Sequence, residues 1–365
     1  MPRVIGIDPG TVSIDLCGLE DGRLFLDRSI PTSDALADPA RFVRLLEDAG
    51  PLDLVAGPSG YGLPLTRARD ATDGDLRLAL LAPPGETGGI AGLSALLRVL
   101  ARSPLPVVLT PGVLHLPTVP AHRKVNRVDM GTADKVCAVA LAVVDQARRL
   151  GCPLSATSFV LLELGGAFTA AVAVAGGRIV DGAGGSAGAL GLRAPGALDG
   201  EVAFLAGSVS KDMLFRGGVA TVAGWEEGTD PVEQLAHPGT ARERVAYEAL
   251  IESTVKTAVA LALSVPGPGP AEFLLSGRLA RVEAVSAAIR RRLEPFAPTR
   301  VLEGFAAVAK QAAQGAALVA DGLAGGTQRE LVELLAIREA RGSVLDHLYV
   351  VPREQALRRL GGGVA

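Results

Sequence analysis

The segment Val4-Ile5-Gly6-Ile7-Asp8-Pro9-Gly10-Thr11 decides how this chain is read, because it recurs. It is a short apolar run broken by an acid and a glycine. Val12 to Leu19, a turn at Glu20-Asp21-Gly22, and Arg23 to Ile30 follow it. Phe159 to Leu164 repeats the pattern 155 residues later. There Glu163, Gly165 and Gly177-Arg178 stand at the places of Asp8, Gly10 and Gly22-Arg23, and Ala170 to Ala175 supplies the second strand. A duplicated strand, acid-x-glycine turn and hairpin implies two similarly folded halves. Two such turns facing one another can grip one polyphosphate.

The residue types fit that role. Glycine lets backbone approach phosphate oxygens without a side chain in the way, so N–H groups and the Thr11 hydroxyl can donate to them. A carboxylate beside phosphates repels them unless it coordinates Mg²⁺, directly or through water, which makes Asp8 a metal-side residue. Two ordinary hairpins with acidic turns are the alternative; the pairing of the turns argues against it.

Composition bounds the class. The chain has 365 residues, 48% hydrophobic and 21% charged, enough for two domains with full cores. A formal net charge of −3 gives no basic field for nucleic acid or anionic lipid. Cys17, Cys137 and Cys152 are scattered without a C-x-x-C spacing, so neither a disulfide framework nor a zinc or iron–sulfur site is expected, and a reducing cytoplasm fits. The chain opens on a buried-type strand, so no signal peptide is expected, and its most apolar helix, around Val136 to Val144, is too short to span a bilayer. Only five lysines occur among 36 Lys and Arg residues, and Lys124 and Lys135 are near neighbours in sequence.

Along the chain, a helix is expected from Pro39 to Ala49 and a strand from Leu52 to Ala56. The loop Gly57-Pro58-Ser59-Gly60-Tyr61-Gly62-Leu63-Pro64 then offers Ser59 and Tyr61 as polar contacts, or is simply a turn. Arg67 and Arg69 follow a loop where a strand ends, the place where ligands collect in open α/β sheets. A helix from Gly89 to Leu100 and a strand from Pro106 to Thr110 come next. Ala121-His122-Arg123-Lys124-Val125-Asn126-Arg127 concentrates positive charge just before Asp129-Met130-Gly131-Thr132-Ala133-Asp134-Lys135. The latter opens a long apolar helix to about Arg149, with Thr132 as N-cap and Asp134 either serving the helix dipole or facing a cleft. In the second half a glycine-rich strip, Gly182 to Gly188 and Gly191, closes the hairpin, and a long helix spans Ala241 to Leu263. A strand ending in Ser276-Gly277 permits a flat ring to approach closely, as adenine or ribose would. Ala306 to Leu323 is expected as a small-residue helix, and the tail from Gln328 as a helix plus an edge strand, Val344 to Val351.

This order of parts resembles the superfamily of acetate and sugar kinases, Hsp70 chaperones and actin. Its first phosphate motif resembles Ile7-Asp8-Pro9-Gly10-Thr11, and its second resembles Glu163-Leu164-Gly165-Gly166 through Thr169. Its adenosine motif resembles Leu274-Leu275-Ser276-Gly277-Arg278, and its two connecting helices resemble Gly131 to Arg149 and Lys310 to Leu323. Within the superfamily, Gly57 to Pro64 and Arg123 to Lys135 look like a mainly archaeal family labelled predicted butyrate kinases. Glu163 departs from the pattern, standing where an aspartate is usual.

The resemblance implies ATP and Mg²⁺ in a cleft between two ribonuclease-H-like α/β domains, residues 1–150 and 151–325, with 326–365 as an extension. Asp8 and Glu163 would then lie on the metal side. Gly10, Thr11, Gly165, Gly166 and Thr169 would hold phosphates, and Ser276 and Gly277 adenosine. It does not fix the small-molecule substrate, because one fold hosts many reactions. A carboxylate acceptor, as in an acyl kinase, is already ionised and demands positive charge rather than a base. Arg123, Lys124, Arg127 and Lys135 are the candidates, with Ser59, Tyr61 and Arg67 beside them. A sugar or polyol acceptor would favour a carboxylate base, for which Asp134 is the nominee. A nucleotide-dependent switch or activator is the alternative from another class, although reductive activators of this superfamily carry a cluster-binding cysteine motif that is absent here. A homodimer is one assembly open to the chain.

Overall fold

The computed structural model describes residues 2–83, 93–226 and 228–361. Among the described residues, strands form two sheets. The first holds β1 (Arg3–Pro9), β2 (Ser13–Glu20), β3 (Arg23–Pro31), β4 (Leu54–Pro58), β5 (Thr66–Arg67) and β6 (Val107–Thr110), in the order β3-β2-β1-β4-β6-β5. The second holds β7 (Ser158–Leu164), β8 (Thr169–Ala175), β9 (Arg178–Ala183), β10 (Glu272–Ser276) and β11 (Thr299–Val301), in the order β11-β10-β7-β8-β9. In each sheet three antiparallel strands are extended by parallel ones, and in the first the short β5 closes the edge antiparallel to β6. Even the irregularity repeats. The β2–β3 register shifts between Gly18 and Leu19, and the β8–β9 register between Ala173 and Val174, the equivalent place in the second half.

Strand alternation sorts the side chains into layers. On β1, Ile5 and Ile7 point outward and pack with Phe42, Leu46, Leu80 and Leu97 from the helices Pro39–Glu47, Asp73–Leu80 and Leu93–Arg102. On β7, Val160, Leu162 and Leu164 do the same against Leu250, Ile251, Val285 and Ile289 from the helices Ala241–Ala262 and Glu283–Leu293. The opposite parity, Val4 on β1 and Phe159 and Leu161 on β7, joins one core that also contains both central helices, Ala133–Leu150 and Gln311–Leu323. These helices are buried almost all round, as their apolar and small residues require. Glycines set the spacing. A Cβ on Gly6 would lie 2.2 Å from the Ala317 nitrogen, and one on Gly315 would lie 1.7 Å from the Cys137 carbonyl oxygen. The second central helix therefore touches β1 and the first central helix backbone to backbone.

The duplicated α/β architecture expected from the repeat is thus present as two similar sheets, and the inward parity that carries Val4 and Leu161 also carries Asp8 and Glu163 at the ends of their strands. Two elements differ from the sequence reading. The second central helix begins at Gln311 rather than Ala306, because the N–H groups of Ala307, Val308 and Ala309 donate to the Asp27 carboxylate on β3 and those of Phe305 and Ala306 to Gln314 Oε1. Val344 to Val351 forms turns instead of an edge strand; Asn126 Oδ1 accepts from the N–H groups of Tyr349 and Val350, which removes the donors a sheet edge would use. The helix expected from Gly89 is seen from Leu93, and its earlier part lies outside the described residues. No helix among the described residues is long and apolar enough to cross a membrane.

Candidate active site

Both acid-x-glycine turns open into one cavity of about 530 Å³ between the halves, lined by Asp8 to Ser13 from the first turn and by Glu163 and Gly165 to Phe168 from the second. The turns are built alike. The Gly10 N–H donates to the Ser13 carbonyl at 3.0 Å and the Gly165 N–H to the Phe168 carbonyl at 2.9 Å. A Cβ at Gly10 would sit 2.8 Å from the Ser13 oxygen, and one at Gly165 would sit 2.9 Å from the Phe168 oxygen. These glycines are there to close the turn, and their own N–H groups are spent doing so. Gly166 differs. A Cβ there would meet Val12 Cγ2 at 3.7 Å and Thr11 Oγ1 at 3.9 Å, ordinary contacts made across to the opposite turn.

The first central helix delivers Asp134 and Lys135 to the same space. The Lys135 ammonium hydrogen-bonds Asp134 and pairs with Glu163 Oε2 at 2.6 Å, bridging an acid from each half. Burial opposes that charge, but the two carboxylates outweigh it and hold the Lys135 pKa above its ordinary value. Burial likewise opposes ionisation of Asp134, yet Lys135 and the Thr132 hydroxyl keep its carboxyl below the usual range. Asp8 lacks such a partner. Burial first and the Asp134 charge second push it up to about 7, against the smaller pull of Lys310 and Lys135.

Among the described residues no three carboxylate, histidine or cysteine side chains converge closely enough to hold a metal by themselves. The donor set still suits Mg²⁺ brought in with a nucleotide, since that ion ordinarily takes one or two carboxylates and fills its other positions with water and phosphate oxygens. Asp8, desolvated and poorly compensated, is the carboxylate that a divalent cation would relieve. Glu163 is engaged by Lys135 in this structure.

The other residues singled out from sequence divide. Thr11 and Tyr61 line the cavity, as does Gly277, with Arg278 and Arg281 next to it. Gly60 positions Tyr61 by accepting the Ala133 N–H at the start of the first central helix. Thr169 and Ser276 are buried at the strand ends behind the turns, and neither hydroxyl finds a hydrogen-bond partner. Ser59 is fully buried and donates to the Thr110 carbonyl, holding its loop to β6.

The basic segment does not reach the cleft. Arg123 donates to the carbonyls of Val180 and Ser264, and Lys124 is buried with its ammonium on the Leu116 carbonyl. Arg127 is exposed, as is Arg67, and neither lines the cavity. The expectation that Arg123, Lys124 and Arg127 line a substrate pocket is therefore corrected, because these side chains bind carbonyls of the surrounding fold or face solvent. A wider depression, about 730 Å³, lies at the far end of the first central helix among Arg148, Arg149, Arg290 and Arg300. Asp145 and Glu272 already engage Arg149 and Arg300 there, and neither glycine turn reaches it.

Two cleft residues were missed. Lys310 Nζ lies 2.6 Å from Ser13 Oγ and 3.0 Å from Asp15 Oδ2, although almost the whole chain separates them. Asp129 accepts from the Ser186 N–H and hydroxyl, both at 2.9 Å, beneath the glycine-rich strip. The scarcity of lysine was the one available signal for Lys310.

Several solved structures share this fold. A propionate kinase from Francisella tularensis superposes with a TM-score of 0.62 at 13% identity, over 86% of this chain and 99% of that one. An acetate kinase from Entamoeba histolytica gives 0.58 at 12% identity over 80% and 86%, and that of Porphyromonas gingivalis 0.57 at 14% over 81% and 88%. At such identity the likeness establishes architecture. No curated protein matches the chain in sequence. A family profile described as "Protein of unknown function (DUF1464)" matches residues 6–350, and the chain belongs to that family.

Proposed function

We propose that this protein is a Mg²⁺-dependent ATP phosphotransferase, with a small carboxylate as the favoured phosphoryl acceptor. The observation that carries the nucleotide part is the convergence of two equivalent turns on one cavity, with Gly166 of one facing Thr11 of the other. Gly10, Thr11, Gly165 and Gly166 would then cradle the polyphosphate, Gly277 and Arg278 would flank the adenosine, and Asp8 would lie on the side of the metal. Bound Mg²⁺ would supply charge neutralisation at the phosphates. The chain's own part is to orient the phosphates, to keep water out between Tyr61 and Phe168, and to hold Asp134 ionised on Lys135.

Support for a carboxylate acceptor comes from the fold shared with acetate and propionate kinases and from Asp134. A carboxylate locked on a lysine and held below the usual range is a poor base, and an ionised acceptor needs none. A hydroxyl acceptor would instead need a general base, a role open to Asp8, which burial and the Asp134 charge push up to about 7. Hydroxylamine trapping of acyl phosphate, across a panel of short acids with Mg²⁺-ATP, tests the first reading. Trapped product that falls by about 10²-fold or more in Asp8→Asn is expected. Phosphorylated sugar or polyol with no acyl phosphate from any acid would replace it with the second.

A further inference from the structure

The first turn and its strand carry two acids, Asp8 and Asp15, directly opposite each other in the β1–β2 register. Cross-strand partners share a face, so both carboxylates sit on the inner side where the proposed polyphosphate would lie. The second half has no such pair, for Ala170 stands opposite Glu163. An anion of several charges therefore meets more negative charge in the first turn than in the second, and residues 8 to 15 contain no cation to offset it.

Lys310 supplies one from almost 300 positions away. Its backbone is fixed on one side by the Asp27 carboxylate, which gathers the N–H groups of Ala307, Val308 and Ala309, and on the other by the second central helix, which it precedes. Its ammonium reaches Ser13 Oγ and Asp15 Oδ2 and lies 3.1 Å from the point where a Cβ on Gly10 would be. One of the three ammonium donors goes to Ser13 Oγ, and the ion pair with Asp15 leaves the others to serve the cavity, where the side chain is 40% exposed. Asp15 is fully buried, and neither of its oxygens accepts a well-aligned hydrogen bond; the ion pair with Lys310 is what compensates it. A buried carboxylate so poorly satisfied calls for a reason beyond stability.

We propose that Lys310 is a phosphate ligand of the first turn and that Asp15 is its positioning residue, aiming the remaining ammonium donors at the β- and γ-phosphates of a nucleoside triphosphate. This rests on the nucleotide reading above. Lys310 then distinguishes nucleotides by their phosphate tail and contributes nothing to the nucleoside.

Titration calorimetry of the full chain with Mg²⁺ and ATP, ADP or AMP tests this. Lys310→Met alone strands Asp15, so the decisive protein is the double variant Asp15→Asn with Lys310→Met, which keeps the buried position neutral. It should retain the wild-type thermal midpoint and AMP affinity while losing roughly ten- to hundredfold in ATP affinity, the worth of one charge-assisted hydrogen bond. Asp15→Asn alone, which loosens the aim but keeps the charge, should weaken ATP by a smaller factor. A folded double variant that binds ATP as tightly as the wild type overturns the assignment. Equal losses for AMP and ATP overturn it too, by showing a merely structural role. Failure of the wild type to bind any of the three nucleotides overturns the nucleotide reading itself, and the assignment with it.

Discussion

Replacing Lys135 by methionine removes one charge and leaves the stem's packing nearly intact. Its ammonium bridges Asp134 and Glu163, whose side chains are only 23% and 19% exposed, so the variant leaves two carboxylates facing each other with no counter-ion. Two groups that share one ammonium are on the order of 5 Å apart and repel by about 3 kcal/mol at an effective dielectric of about 20. Breaking a well-buried pair costs a similar amount, about 3–5 kcal/mol, and the partial exposure here favours the lower end. The loss depends on pH in a definite direction. With the lysine gone, one carboxylate holds its proton above the usual range, so the folded variant binds more protons than its unfolded chain and regains stability as the pH falls. Thermal unfolding of wild type and Lys135→Met at pH 8 and pH 5.5, each with EDTA or Mg²⁺, reads all of this. Expected are a deficit of several degrees at pH 8 in EDTA, a smaller one at pH 5.5, and partial rescue by Mg²⁺ in the variant alone. Equal midpoints for the two proteins in every condition would refute the idea that Lys135 is the shared counter-ion of the two halves.

Three further outcomes follow from the geometry. Gly165→Ala should lower stability, since its Cβ must displace the Phe168 carbonyl, whereas Gly166→Val should leave the unfolding midpoint unchanged and abolish ATP binding measured by calorimetry. Gly315→Ala should cost about 3 kcal/mol or more in chemical denaturation, because backbone on both sides of the helix contact has nowhere to move. Burial first, and then the nearby Lys124, lowers the His115 pKa to about 4. The unfolded chain therefore takes up a proton near pH 6.5 that the folded one refuses, and up to about 3 kcal/mol of stability present above pH 6.5 is lost as the pH falls towards 4. His115→Asn should flatten that slope in denaturation curves taken between pH 4 and 7.

Asp8 and Glu163 could be paired from sequence because strand, acid, glycine and hairpin all recur at one offset, and strand parity then dictates that both face inward. The turn glycines were legible for the same reason, although what they avoid is a carbonyl rather than a phosphate. The basic segment misled because charge density in sequence says nothing of where guanidinium groups end. Arg123 lies far along the chain from Val180 and Ser264, whose carbonyls it binds. Lys310 was hidden by the same kind of separation from Ser13 and Asp15, and Val344 to Val351 looked like a strand only because β-branched residues carry no record of which side chain will claim their N–H groups.

The way the second central helix lies on β1 also governs the order in which the molecule can be made. Val4, Gly6 and Ala56 belong to the first sheet, and the helix that covers their face comes from Gln311–Leu323. A nascent chain that has finished both sheets still lacks this cover, so its first half must wait, with an apolar face bare, until nearly all of the protein has been synthesised. Contacts this distant in sequence make for slow folding and for intermediates that chaperones must shield. A ribosome stalled before residue 311 would therefore carry a first half whose inner face is still uncovered.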